Sequence, residues 1–262
     1  MKKRNSLILL TGASGQLGRA MGAASFYKRC LTPPRKELDI TSLKSIDSYL
    51  NKHDIDRIIH TAALARQALC EEDPMSALDT NLLGTAYLVK AILRFERQRK
   101  HGIRFIYIST DGVYPGTEGH YSETSTTIPY NKYGWTKLGG ECAVQLLSDF
   151  CIIRTRFFDP GHLKFDTCPV DSFTSAIALH ELVTAIDKLL YSDFVGVVNV
   201  GGRRMSDYER YKAINPSLKP CRLKDIQREK KFKISRDSSF NTKRWRDFEK
   251  TIQGYTLQSH KG

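Results

Sequence analysis

Tyr133 and Lys137 lie four residues apart in the segment YNKYGWTKLGGE, residues 130–141. On a helix, residues i and i+4 share a face, which places the phenol beside the ammonium. An adjacent ammonium stabilises a phenolate, so Tyr133 is a candidate proton donor to a carbonyl oxygen. Tyr208 and Lys212 repeat this spacing, but they follow the last predicted strand and we interpret them as a solvated helix face.

A hydroxyl pair and a carboxylate precede this helix. The strand-like run RFIYIS ends at Ser109, and Thr110 and Asp111 follow it directly. In parallel sheets the ligand crevice lies at the carboxyl ends of the strands, so these side chains are expected there. We therefore expect the Thr110 hydroxyl to hydrogen-bond the same carbonyl oxygen as Tyr133.

Three glycines with GxxGxxG spacing, Gly12, Gly15 and Gly18, directly follow the apolar run LILLT. Glycine permits a tight turn, lets backbone N–H groups approach a pyrophosphate, and lets the next helix pack closely on the sheet. We interpret the segment as a dinucleotide-binding turn; an ordinary glycine-rich loop is the alternative. Lys137 would then also hold the nicotinamide ribose.

The residues after the second predicted strand favour NADPH as the dinucleotide. An NAD site usually carries an acid there, whereas the segment CLTPPRKELDIT presents Arg35 and Lys36. A guanidinium or ammonium suits a 2′-phosphate, so we expect NADPH, with NADH possible and a solvated basic loop as the alternative. Asp39 is expected near the adenine.

Strand-length apolar runs alternate with helical patterns through the first two-thirds of the chain. The runs are 7–11, 57–62, 104–109, 151–155 and 196–201, and the helical patterns are 16–28, 42–52, 74–99, 131–149 and 179–191. This alternation predicts an α/β fold with a doubly wound parallel sheet of the Rossmann type. We predict a nucleotide domain over 1–155, to which 177–201 returns, and a small, shortened C-terminal substrate lobe formed by 156–176 and 202–262.

The net charge of +13 is concentrated near the C-terminus, where residues 201–262 hold 17 Lys and Arg against 7 Asp and Glu. Nucleic-acid binding by this segment is the weaker interpretation, because it lacks the aromatic spacing of a stacking platform. Six scattered cysteines without a CxxC pair indicate neither a metal site nor a disulfide framework. No apolar run reaches the roughly 20 residues of a membrane-spanning helix. We expect a cytoplasmic protein without a membrane partner.

A family resemblance rests on the segments TGASGQLG, RKELDIT, HTAA, NLLGT, ISTDGVYPG, GHYSE, YGWTKLGGE and IIRT. Together they resemble the extended short-chain dehydrogenase/reductases, most closely the dTDP-4-dehydrorhamnose reductase family. The resemblance implies that Thr110, Tyr133 and Lys137 are catalytic in an NADPH-dependent reduction of the 4-keto group of a nucleotide-activated 6-deoxy sugar. It also implies further contacts, to the cofactor from Gly12, Ser14, Gly15, Gln16, Leu17, Gly18, Arg35, Lys36, Asp39, Ile40, Ala62, Ala63, Asn81, Tyr133 and Lys137, and to the substrate from Asp111, Val113, Arg156 and Phe157.

The chain departs from this family after the fifth predicted strand. It reads RTRFFDPG where the family commonly reads RTSWVYG, so Arg156 and Phe157 replace a serine and a tryptophan, and the next stretch is short. We expect Arg156, with one or more of Arg203, Arg204 and Arg236, to bind the substrate's diphosphate. The alternative function is a cofactor-binding regulatory subunit resembling the methionine adenosyltransferase β subunit. We also expect that the protein could form a homodimer.

Overall fold

Six parallel strands form the central sheet of the protein, whose structure is a computed structural model describing residues 7–99, 102–161, 166–230 and 232–259. The strands are β1 (Leu7–Thr11), β2 (Cys30–Leu31), β3 (Ile55–His60), β4 (Arg104–Thr110), β5 (Phe150–Thr155) and β10 (Gly196–Val200). Their spatial order is β10-β5-β4-β3-β1-β2. The predicted doubly wound parallel sheet is confirmed.

The order of the strands reverses beside β1. The chain leaves β1 for β2 on one side and then returns to β3 on the other, where Thr11 is paired with His60. In open α/β sheets a ligand crevice forms at such a reversal, beyond the carboxyl ends of the strands. The turns that follow β1 and β3 therefore form the candidate crevice.

Helices cover both faces of the sheet, and each face has its own apolar core. The helices are α1 (Gln16–Ala20), α2 (Leu43–Lys52), α3 (Gln67–Glu72), α4 (Pro74–Ala77), α5 (Gly84–Arg99), α6 (Lys132–Val144), α7 (Leu179–Leu190), α8 (Asp207–Lys212), α9 (Leu223–Glu229) and α10 (Lys243–Ser259). Buried side chains of α1 and α7 form one core, and those of α2 and α5 form the other. None of the helices in the described residues is long and apolar enough to cross a membrane.

Several predicted boundaries differ from the structure. Strand β2 has only two residues, too few for a periodic signal. The predicted helix 74–99 is divided by a wider, π-type turn at Leu78–Leu83, and α1 ends at Ala20 instead of residue 28. A π-type turn carries an extra residue, which hydropathy periodicity over a long window does not register.

The predicted second lobe consists mainly of short strands. These are β6 (Phe157–Phe158), β7 (Thr167–Pro169), β8 (Phe173–Thr174), β9 (Ile177–Ala178), β11 (Met205–Ser206) and β12 (Lys219–Cys221), which pair as β6–β9, β7–β12 and β8–β11. Residues 162–165, 231 and 260–262 of the predicted lobe lie outside the described residues.

Helix α10 departs from the predicted division, which placed all of 202–262 in the lobe. Trp245 is 5% exposed and lies in the same core as the α7 side chains, with Phe248 packed against it. Trp245 and Phe248 of this basic helix therefore pack on the sheet, while Lys243, Arg244 and Arg246 are exposed.

Candidate active site

Two adjoining cavities meet at the glycine turn after β1. A cavity of about 530 Å³ lies over the Pro33–Thr41 side and a cavity of about 370 Å³ lies over the ends of β4 and β5. Both are lined by Gly12, Gly15 and Ala63. They form one cleft across the reversal point of the sheet.

The glycines of this turn have distinct roles. Gly12 has φ +77°, which favours glycine, and a Cβ there would lie 2.5 Å from the Ala62 nitrogen. A Cβ on Gly15 would meet only the Gly12 carbonyl oxygen, at 3.2 Å, and would otherwise occupy the cleft. This backbone surface fits the close approach of a dinucleotide pyrophosphate at a helix start.

Thr110, Tyr133 and Lys137 line the smaller cavity together. Thr110 ends β4, whereas Tyr133 and Lys137 lie on α6. Asn131 caps the start of this helix, where its side chain accepts a hydrogen bond of 2.8 Å from the backbone nitrogen of Gly134. The Tyr133 phenol lies within hydrogen-bonding reach of Thr110. The three residues therefore lie at the crevice, as their order along the chain suggests.

The electrostatics of this group differ from our expectation. Burial raises the pKa of Tyr133 above its ordinary value and the Asp111 carboxylate raises it further. Burial lowers the pKa of Lys137 to about 7, against the opposing effect of Glu141. The Lys137 Nζ lies 4.0 Å from the centroid of the Tyr107 ring. Burial and Asp111 thus dominate at Tyr133, which holds its proton more firmly than a free tyrosine.

A buried carboxylate, Asp111, is the centre of a second group in the cavity. It is 4% exposed and pairs with the Arg156 guanidinium, Nη1 to Oδ2 3.2 Å. Ser238, 127 positions away, donates a hydrogen bond of 2.6 Å to the same oxygen. Burial disfavours the guanidinium, but Asp111 and Asp207 outweigh this effect and raise the pKa of Arg156. Arg156 stays charged at the wall of the cavity.

A buried ion pair holds α6 against the sheet beneath these residues. Glu141 is fully buried and pairs with Arg154 of β5, Nη2 to Oε2 2.7 Å, and Ser109 donates a hydrogen bond to its other oxygen. Arg154 also donates to the Tyr114 hydroxyl at 2.8 Å. These bonds join α6 to the ends of β4 and β5, and so fix Tyr133 relative to Thr110.

The larger cavity includes some of the predicted cofactor contacts near the adenine. Arg35 and Asp39 line it and pair with each other, Nε to Oδ2 3.5 Å. Asp39 also accepts a hydrogen bond from the Thr41 hydroxyl, 2.7 Å. The exposed Lys36 does not line this cavity. Ser14, Ile40 and Ala62 line it as well, whereas Gln16, Leu17 and Gly18 line the smaller cavity.

Besides Lys36, two more predicted contact residues, Asn81 and Val113, line neither cavity. Asn81 is fully buried, and its amide bonds the Leu64 backbone and the Thr136 hydroxyl, so it positions the loop after β3. Val113 is fully buried in an apolar cluster with Tyr114 and its neighbours, because the turn after β4 directs it inward. Neither side chain faces the cleft.

The predicted arginine cluster does not assemble in the smaller cavity. Arg156 lines it together with Phe157. Arg204 instead pairs with Asp237, Nη2 to Oδ2 2.7 Å, and with Arg203 lines a different cavity. Arg236 is exposed and does not line the catalytic cavity.

Gln67 and Thr155 line the smaller cavity but were not predicted. Thr155 ends β5 and is paired in register with Thr110, so the strand-end rule that found Thr110 could have found it. Its hydroxyl oxygen is buried and has no hydrogen-bond partner among the described residues. Gln67 begins α3 after the loop that follows β3. Within the described residues no cluster of three or more potential metal ligands occurs.

Comparison with known families bears directly on this site. The RmlD substrate binding domain family matches residues 6–159, which include β1, the glycine turn, Thr110, Tyr133 and Lys137. The chain belongs to this family. The match confirms the resemblance that the sequence motifs indicated.

Curated relatives match the same half of the chain. A dTDP-4-keto-6-deoxy-D-glucose reductase of Streptomyces niveus is 35% identical over 162 residues, 59% of this chain and 53% of the relative. The methionine adenosyltransferase 2 subunit beta of Rattus norvegicus is 31% identical over 146 residues, 52% of this chain and 42% of the relative. The chain thus spans about half the length of the curated relatives that it matches.

Structural similarity extends over nearly the whole chain. The dTDP-4-dehydrorhamnose reductase of Bacillus anthracis, solved in complex with NADP, superimposes with a TM-score of 0.81 at 22% identity. The superposition covers 97% of this chain and 99% of that one. At this identity the comparison establishes the fold, including the region after residue 159.

Proposed function

We propose that the protein is an NADPH-dependent reductase of the 4-keto group of a nucleotide-activated 6-deoxy sugar. The observation that carries the proposal is the convergence of Thr110, Tyr133 and Lys137 in one cavity that opens onto the glycine turn. The relative from Streptomyces niveus, a dTDP-4-keto-6-deoxy-D-glucose reductase, supports the same substrate class.

The residues divide the reaction between them. NADPH would supply the hydride when bound, with the glycine turn holding its pyrophosphate and Arg35 within reach of its 2′-phosphate. Tyr133, whose pKa is raised by burial, is protonated at neutral pH and donates its proton to the carbonyl oxygen. Thr110 orients that oxygen beside the phenol.

The cofactor and the sugar nucleotide are both soluble anions, and all six cysteines are free thiols. A cytoplasmic location fits this chemistry and forms part of the same proposal. Self-association as a homodimer stays a prediction that an oligomeric-state measurement would decide.

Turnover with defined substrates tests the proposal. The protein is incubated with NADPH and a panel of 4-keto-6-deoxyhexoses linked to dTDP, UDP, GDP or CDP. Loss of reduced-nicotinamide absorbance is followed together with the identity of the sugar product. We expect oxidation of NADPH with one nucleotide series and formation of the 4-hydroxy sugar. Binding of NADPH without turnover on any member of the panel would contradict the reductase proposal.

A second candidate is a cofactor-binding regulatory subunit. It is favoured by the similarity to the methionine adenosyltransferase 2 subunit beta and by the described stretch 166–178, which contains short strands but no helix. This function predicts NADPH binding without ketosugar turnover and a stable complex with a separate enzyme. Co-purification with a methionine adenosyltransferase, measured for wild type and Tyr133→Phe alike, distinguishes the two candidates.

A further inference from the structure

A separate cavity of about 710 Å³, larger than the catalytic one, lies at the end of the edge strand β10. Its walls are the first turns of α7 and α10, the turn Gly201–Arg204 and His120. It shares no lining residue with either half of the cleft. The β6–β9 ribbon lies between them, since Phe157 lines the catalytic cavity and its strand partner Ile177 lines this one.

The lining of this cavity carries more cationic than anionic side chains, three arginines against two glutamates. The exposed arginines Arg203 and Arg246 form no ion pair within 4 Å with any residue that the structure describes. At longer range Arg203 interacts electrostatically with the carboxylate of Glu209, and Arg246 with that of Asp247. The exposed imidazoles of His120 and His180 lie on the same walls.

The other charged groups of the cavity already have partners. Arg204 pairs with Asp237, and Glu249 pairs with Lys188, Nζ to Oε1 2.7 Å. Glu181 accepts a hydrogen bond from the Ala178 backbone nitrogen, 3.1 Å. Glu249 is thus offset by Lys188, whereas Glu181 keeps its negative charge on the wall. The guanidinium groups of Arg203 and Arg246 outnumber this one carboxylate.

Two helices and one unusual backbone conformation shape this cavity. Side chains from the first two turns of α7 and of α10 line it. His120 is the one non-glycine residue with positive φ in the described chain, at +52°, and Ser239 accepts a hydrogen bond from its backbone nitrogen. Such sparsely populated conformations concentrate at ligand sites.

We propose that this cavity binds a phosphate-bearing small molecule, at a site distinct from the catalytic cleft. The two free guanidinium forks match phosphate oxygens, and the imidazoles supply further donors. The apolar side chains Ile177, Phe240 and Trp245 form part of the wall and would pack against the organic portion of the ligand. The site does not depend on the proposed reductase function.

Trp245 provides a local reporter of occupancy. The chain has two tryptophans, and the other, Trp135, is 53% exposed on α6, so Trp135→Phe leaves the cavity tryptophan alone. Fluorescence of this variant is titrated with inorganic tripolyphosphate and with ribose 5-phosphate, neither of which absorbs where tryptophan is excited. We expect saturable quenching or a spectral shift with at least one of the two.

Paired substitutions locate the binding. Arg203→Gln with Arg246→Gln, in the Trp135→Phe background, should weaken binding by at least about tenfold, because the two substitutions remove charged hydrogen bonds to the phosphate. Tenfold corresponds to about 1.4 kcal/mol. Arg228→Gln, which removes an exposed charge outside the cavity, should leave binding unchanged. Thermal unfolding checks that each variant is folded.

Three results would overturn the proposal. The first is the absence of any saturable change with either phosphate. The second is an equal loss in the Arg203/Arg246 variant and in Arg228→Gln, which would mean that only overall charge acts. The third is competition by saturating NADPH, which would place the phosphate in the dinucleotide cleft.

Discussion

Tyr133 is the residue on which the proposed chemistry depends most. Burial raises the pKa of the Tyr133 phenol, which is therefore protonated at neutral pH. The phenol lies within hydrogen-bonding reach of Thr110, at the wall of the smaller cavity. Tyr133→Phe removes the donor with little change in packing, so turnover should fall by about 10²–10⁴-fold, the usual range for general acid catalysis. Tyr130→Phe is the matched control and should have a much smaller effect on steady-state turnover. Equal losses would show that the two phenols have been assigned the wrong roles.

Arg35 and Lys36 are adjacent basic residues in different surroundings. Arg35 lines the larger cavity, whereas Lys36 does not. Arg35→Ala should therefore weaken NADPH binding by about 3–10-fold and leave NADH binding nearly unchanged, since an exposed charge pair contributes about 1 kcal/mol or somewhat more to a phosphate contact. Lys36→Ala should affect neither cofactor. Calorimetric titration of both dinucleotides measures this, and an equal loss for NADPH and NADH would contradict phosphate recognition by Arg35.

The buried ammonium of Lys137 predicts a pH dependence of stability. Its pKa in the folded chain is about 7, below the value near 10.4 of a lysine in an unfolded chain. Between these values the unfolded chain binds more protons, so the free energy of unfolding should rise with pH, by up to about 1.4 kcal/mol per unit. Urea unfolding of wild type and Lys137→Met is compared from pH 7 to 10 without cofactor. A constant difference between the two across this range would show that Lys137 does not titrate there.

Helix α6 lies close to the end of β4 because of its glycines. A Cβ on Gly134 would overlap the Gly112 carbonyl oxygen, which cannot move without shifting the turn after Thr110. Gly134→Ala should therefore destabilise the protein by about 1–3 kcal/mol, as overpacked sites do, and should reduce turnover through displacement of Tyr133. Gly22→Ala is the control, because its Cβ would meet nothing within 4 Å. Chemical denaturation and activity are measured on both, and similar behaviour of the two variants would contradict this account.

Local signals in the sequence predicted the elements that carry the site. The run LILLT, the glycines after it and the i, i+4 pair on α6 each depend on neighbours in the chain, so β1, the turn and the helix could be inferred. The contact of Asp111 with Ser238 spans 127 positions and has no local signature. The inward direction of Val113 and the engagement of the Asn81 amide likewise depend on tertiary packing. Periodicity cannot predict these contacts.

At the scale of the whole molecule, the basic C-terminal segment is part of the folded core. Phe240 packs with Tyr114 and Tyr121, and Trp245 packs in the core of α7. Ser238 donates a hydrogen bond to Asp111, and Tyr121 donates one from its backbone to Ser239. The sequence placed this basic segment in a separate lobe, whereas its few buried residues connect it to both the sheet and the smaller cavity. Truncation after Gly202 would therefore remove part of the core as well as the lobe.

This arrangement predicts a single cooperative unfolding transition for the described parts of the chain. In the Trp135→Phe background, fluorescence of Trp245 reports the C-terminal segment and far-ultraviolet circular dichroism reports the sheet and helices. The two urea transitions should coincide, the standard sign of two-state behaviour. Phe240→Ala removes a ring that is 5% exposed and should lower both midpoints together, corresponding to a loss of about 3–5 kcal/mol. An earlier fluorescence transition, or a shift of that transition alone, would show instead that the segment unfolds independently and that the catalytic cavity can lose Ser238 while the sheet stays folded.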